Sequence, residues 1–274
     1  MNDFYSMLTP EFLTVILLPA LIGGIAVTLC SSLLGVSLVL KRYSMIGDGL
    51  SHVGFGALSV AAVMNLAPLK VAIPVVILAA VFLLRLSEHS QLKGDSAIAI
   101  FSTSALAIGV LVSSKAGLTN DVSHYMFGSI LAMSREDVLL SVVLSLLVIA
   151  AYMLLYHKIY AITFDEDFAK ATGTNVRFYN LLLAVLTAVT VVLGMMMMGA
   201  LLISSLIIFP SVTAMRVCRS FRSVVICAAL VSVVFFLSLT FDTAPGASVV
   251  VANLVVFLLF TLIGRLRSGG KATA

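Results

Sequence analysis

Charge is scarce in this sequence. Sixteen basic and twelve acidic side chains among 274 residues make only 10% of positions charged, against 61% hydrophobic and a mean hydropathy of +1.20. Soluble domains carry about a quarter of their residues as charges, so a polytopic membrane chain is the class that remains. No polar stretch is long enough to fold separately, and residues 1–274 read as one membrane domain. Cysteine is sparse too: Cys30, Cys218 and Cys227 lie in or beside apolar segments without CxxC spacing. That excludes a disulfide framework and a thiolate metal centre. No Lys or Arg precedes the first apolar run, so no cleavable leader is expected. GxxxxGK[ST] is missing, which removes the usual cradle for ATP phosphates, and so are GxSxG and HExxH. The chain does not read as an enzyme. Its net charge of +4 is spread along loop edges rather than clustered, which argues against a nucleic-acid partner.

What is present is a series of apolar runs near the length of about 20 residues that a spanning helix needs. They fall at 12–40, 46–66, 68–86, 96–114, 137–157, 180–197, 199–216, 223–241 and 246–264. The expected fold is all-α with nine transmembrane helices. The division inside 180–216 is marked only by Gly194 and Gly199, so eight spans is the alternative. Positive charge orients such a bundle. Lys41 and Arg42, Arg85 and Lys93, Lys158 with Lys170 and Arg177, Arg216 with Arg219 and Arg222, and Arg265 with Arg267 and Lys271 fall on one side of nine spans. That side is expected to be cytoplasmic, with the N-terminus outside and the C-terminus inside.

Two connections look structured. The external stretch 115–137 holds an apolar run, Tyr125 to Met133, too short to span, and reads as a re-entrant or interfacial helix. The stretch 160–178 contains a short helix that Asp165 caps, with acidic residues in its first turn and Gly173 at its end. Ala169 and Ala171 are expected to keep it slim, so that another protein can approach closely.

Within the second run lies SMIGDGLSHVGFG, residues 44–56. On a helix Asp48 and His52 are i and i+4 and share a face, with Ser51 on the same side. Ionisable groups inside a bilayer normally face the bundle interior or a watery path. A carboxylate with an imidazole suits a transition metal better than magnesium or calcium. The competing interpretation is a pair that merely caps or braces its helix. Asp121 and His124, i and i+3 in the external stretch, form a second candidate metal pair, set against ordinary solvated loop residues. Asp242 opens DTAPG and reads first as a helix cap, with Pro245 in the first turn, though it can also face an access path. The run Met195 to Met198 cannot converge on one soft metal, because four consecutive helical residues point all round the axis; gap-filling is the better account.

Taken in order, LVLKRYSMIGDGLSHVGFG (38–56), DVSHYMFGSILAMSREDV (121–138), DEDFAKATG (165–173), GALLISSLIIFPSVTAMR (199–216) and FDTAPGASVV (241–250) resemble the permeases of ATP-binding-cassette metal importers, the zinc-uptake branch above all. The resemblance implies a homodimeric, multi-pass permease of the bacterial plasma membrane that moves a divalent transition metal inward. It implies a cytoplasmic ATPase on each half, where ATP is bound, an extracytoplasmic metal-binding protein, and no cofactor held by this chain. Asp48 and His52 would line the translocation path. Asp165, Glu166, Phe168, Ala169, Ala171 and Gly173 would form the helix that couples to the ATPase. Manganese and iron relatives tend to carry histidine two residues before the aspartate matching Asp242, where this chain has Thr240, which favours zinc over manganese or iron. The alternative is a proton-coupled secondary metal transporter working through Asp48 and His52. Such proteins often repeat an interrupted helix in both halves, and 44–56 has no counterpart in the second half.

Overall fold

The computed structural model describes residues 18–89, 94–117, 135–238 and 245–269, and among them there are helices and no strands. The chain is an all-α, multi-span membrane protein. The long helices are α1 (Leu18–Leu40), α2 (Ser44–Val63), α3 (Pro68–His89), α4 (Gly94–Lys115) and α5 (Arg135–Leu154). Two short helices follow, α6 (Tyr156–Phe164) and α7 (Glu166–Ala171). Then come α8 (Val176–Met198), α9 (Ala200–Val217), α10 (Phe221–Ser238) and α11 (Pro245–Gly269). Among the described residues, each of the nine apolar runs forms a helix over most of its length. Seven are long and apolar enough to cross a membrane, and the described apolar parts of α10 and α11 are the shorter Phe221–Val234 and Val250–Leu262.

Burial separates inner from outer helices. In α1 and α8, 78% and 72% of the apolar span is buried, against 28% in α4 and in α5. Without a hydrophobic drive between helices in lipid, close contact depends on small residues and good packing. Gly56 of α2 lies against the backbone of α4, where a β-carbon would stand 2.7 Å from the Ala105 carbonyl oxygen. Gly35 of α1 is tighter still, pressed on the Ile207 carbonyl of α9, which also accepts from Ser211 Oγ at 3.0 Å. Gly35→Ala is therefore expected to force α1 and α9 apart and cost about 1–3 kcal/mol, the usual range for overpacking. A lowered thermal midpoint of the detergent-purified protein checks it, and an unchanged midpoint would refute the tight contact.

The 180–216 region divides at Gly199, the single residue between α8 and α9. Its φ of 89° and ψ of 156° belong to a region open in practice only to glycine. Gly194 touches Ile203 across this break. Nine residues of continuous helix would place them about 13 Å apart, so the chain reverses here. Two helices stand where the eight-span alternative needed a different fold.

The methionines just before the break spread apart as their spacing requires. Met195 fills the space above Gly54 of α2, Met197 lies over Gly23 of α1, and the Met198 sulfur accepts from Thr28 Oγ1 at 3.9 Å. They are gap-fillers on different neighbours.

Candidate functional site

Helix α2 follows α1 through a three-residue turn, Lys41 to Tyr43, and Asp48 lies in its second turn. Asp48 and His52 share a face, with Oδ2 and Nε2 3.7 Å apart, and both are partly exposed. At that separation they are too far for a good hydrogen bond, so both keep lone pairs free for a third party. Ser51 Oγ donates to the Asp48 carbonyl at 2.7 Å and stands 3.2 Å from Ser204 Oγ of α9. The two helices thus meet through hydroxyls beside the ionisable pair.

Between them lies a cavity of about 290 Å³, where Asp48, His52 and Phe55 face Ser204, Ser205 and Phe209. Apart from the pair and the two serines its wall is apolar. Such a wall strengthens the interaction of any ion with the few polar groups available. Asp48 and His52 supply one oxygen and one nitrogen donor. No cluster of three or more His, Cys, Asp or Glu exists among the described residues. Within the described residues, one copy of the chain therefore offers an incomplete shell. Asp121, His124 and Asp242 lie outside the described residues, so the structure neither joins them to the pair nor separates them. Ser204 and Ser205 were visible in sequence only as a polar dipeptide in an apolar run.

At one end of the bundle α7 is built as its sequence suggests. Asp165 Oδ1 accepts from the backbone N–H groups of Asp167 and Phe168 at 3.0 and 2.9 Å, an N-cap of the kind worth about 1 kcal/mol. At the other end the Gly173 N–H reaches Lys170 O and the Thr174 N–H reaches Ala169 O. That is a Schellman ending, with Gly173 at φ +80° in the left-handed conformation such an ending needs. The expectation for the two alanines holds only in part. Ala171 is exposed, but Ala169 is fully buried with Ile162 and Val176 beneath α7. Ala169 therefore seats the helix on its own chain and offers nothing to a partner. Phe168 is 64% exposed and is the one large apolar side chain that α7 presents outward.

Glu166 also turns inward. Its Oε1 accepts from Lys41 Nζ at 2.6 Å and from Asn180 Nδ2 at 3.2 Å. Partial burial raises its carboxyl, but the Lys41 hydrogen bond and charge, with help from Asn180, outweigh that and hold it below the usual carboxylate range. A carboxyl depressed in the folded state stabilises above its unfolded pKa and loses that contribution as pH falls through the folded value. The tie is therefore at full strength at neutral pH and weakens in acid. Nearby, Tyr160, Phe164 and Phe221 form an aromatic cluster with centroids 5.0–5.8 Å apart that holds α6 against the start of α10.

Residues 14–264 match the ABC 3 transport family. The chain belongs to that family. Its relatives include the high-affinity zinc uptake system membrane protein ZnuB of Haemophilus influenzae, 30% identical over 89% of this chain and 96% of that one. The manganese import system permease protein ScaB of Streptococcus gordonii is 28% identical over 88% of each chain. Among solved structures, PsaBC from Streptococcus pneumoniae in complex with Fab covers 94% of both chains with a TM-score of 0.80 at 28% identity. The family match takes in every described helix up to residue 264, so the Asp48–His52 cavity and the α7 surface belong to a transport permease.

Proposed function

We propose that the chain is the membrane-spanning permease of an ATP-driven importer that moves a divalent transition metal, zinc foremost, into the cytoplasm. The observation that carries this reading is the Asp48–His52 pair turned into a cavity between α2 and α9 of an ABC 3 family chain. Zinc is held by imidazole and carboxylate, in about four ligands. Two copies related by a two-fold axis would bring two such pairs together, so the working permease is a homodimer. ATP is hydrolysed by a separate cytoplasmic ATPase that docks on α7, and an extracytoplasmic binding protein delivers the ion. That places α7 and the basic connections inside and the N-terminus outside.

The zinc and manganese relatives lie at nearly equal identity, 30% and 28%. The choice of zinc therefore rests on the donor set and on Thr240. Uptake in a bacterial strain lacking its own zinc and manganese importers tests it. Radioactive zinc is expected to accumulate and to resist about a tenfold excess of manganese, a discrimination worth about 1.4 kcal/mol. Accumulation of manganese that zinc cannot suppress would assign the permease to manganese instead.

A further inference from the structure

Lys41 reads in the sequence as one of the loop cations that orient the bundle, yet its side chain is only 4% exposed. An ammonium carries three donors and no acceptor. All three are matched: Ile162 O of α6 at 2.9 Å, Glu166 Oε1 of α7 at 2.6 Å and Asn180 Oδ1 of α8 at 2.8 Å. A buried charge persists only with such a complete set, because an unpaired one costs several kcal/mol. One side chain at the end of α1 thus gathers three other elements, including the helix that faces a partner.

The backbone that carries Lys41 is stiff. The Tyr43 N–H bonds to Leu38 O at 2.8 Å and the Arg42 N–H to Val39 O at 3.1 Å, closing α1 with a Schellman pattern around Arg42. Arg42 has φ +61°, a conformation that an L residue rarely adopts and that leaves the turn little freedom. The Ile46 N–H bonds back to Tyr43 O at 3.0 Å, joining the turn to α2. Asp48 is seven residues beyond Lys41, about one and a half turns into that helix.

We infer that Lys41 is a positioning residue that transmits movement of α7 to the Asp48–His52 helix. It pulls on α2 through a turn too rigid to absorb the displacement. This rests on the reading of α7 as the ATPase-docking helix and adds a specific route from that helix to the ion site. The Lys41 side chain is only 4% exposed and is not part of the wall of the Asp48–His52 cavity. Its role is to make hydrolysis on the partner felt between α2 and α9.

The test measures zinc ions moved per ATP hydrolysed, in proteoliposomes holding the permease, its ATPase and its binding protein. Lys41→Met and Glu166→Ala should each lower that ratio about tenfold, within the usual range for coupling between sites, while the ATPase stays bound and hydrolysing. Glu166→Gln, which keeps an acceptor for Lys41, should lower it less. Glu166→Ala leaves Lys41 two of its three acceptors, so the test stands even where Lys41→Met does not insert. A purely structural role lowers uptake and hydrolysis together and leaves their ratio at the wild-type value; that result in Glu166→Ala overturns the proposal. Failure of the docking reading shows differently, as loss of neither binding nor hydrolysis when the exposed face of α7 is altered at Phe168.

Discussion

Asp48→Ala and His52→Ala are each expected to abolish zinc uptake while dimer assembly and ATPase binding survive. An ion that leaves water needs replacement ligands, yet ones weak enough to release it again. Among the described residues lining the cavity, only the carboxylate and the imidazole are strong donors, and the serine hydroxyls beside them are weak ones. Removing either one takes away half of the strong donors that the described cavity wall offers. Both side chains are partly exposed and separated by 3.7 Å, so their loss leaves no unpaired buried partner and the fold should stand. Ser204→Ala serves as the comparison, with uptake reduced only a few-fold. The measurement is zinc uptake in cells together with native-gel analysis of the purified complex. Wild-type uptake in both alanine variants would make the pair a brace within α2 and nothing more.

Gly173→Arg should strip the ATPase from the purified permease while membrane insertion is unaffected. Space is available, since nothing lies within 4 Å of where a β-carbon would project. The expected harm comes from two other sources. A non-glycine residue at φ +80° costs roughly 1–2 kcal/mol. The long cation also adds charge and bulk just past the helix that exposes Phe168 and Ala171. Gly173→Asn separates the two, because asparagine tolerates the left-handed conformation and adds no charge. It should retain most of the ATPase in co-purification. Undiminished co-purification of the arginine variant would remove α7 from the docking surface.

Much of this architecture could be read in the sequence because lipid enforces it. Apolar length is a local signal, and it located every long helix among the described residues. The caps of α7 were legible for the same reason, since Asp165 and Gly173 act on backbone within a few residues. The break at Gly199 was faint, because a one-residue reversal needs no polar linker to mark it. The surface of α7 was misjudged at Ala169 although helical geometry contained the warning. Residues 169 and 171 are about 200° apart at about 100° per residue, so they cannot share a face. Lys41 was the harder case. Its acceptors are 121 to 139 positions away in the chain, and a lysine at a helix end looks the same in sequence whether it meets water or a buried carboxylate. The hydroxyls of Ser204 and Ser205 gained meaning only once α9 was laid against α2.

The single residue between α8 and α9 also limits how the cavity can open. Two consecutive Cα–Cα steps of about 3.8 Å are all that joins Met198 to Ala200, and Met198 is anchored among α1 side chains. The Ala200 end of α9 is therefore leashed. A piston-like slide of α9 along its own axis would break that leash within a few ångströms. A swing about Ala200 would not, and it moves each residue in proportion to its distance from the pivot. Ser204, one turn along, shifts little, whereas Phe209 and the residues towards Val217 sweep furthest. Such a lever widens the cavity at its far end first, while the hydroxyl beside Asp48 stays almost in place.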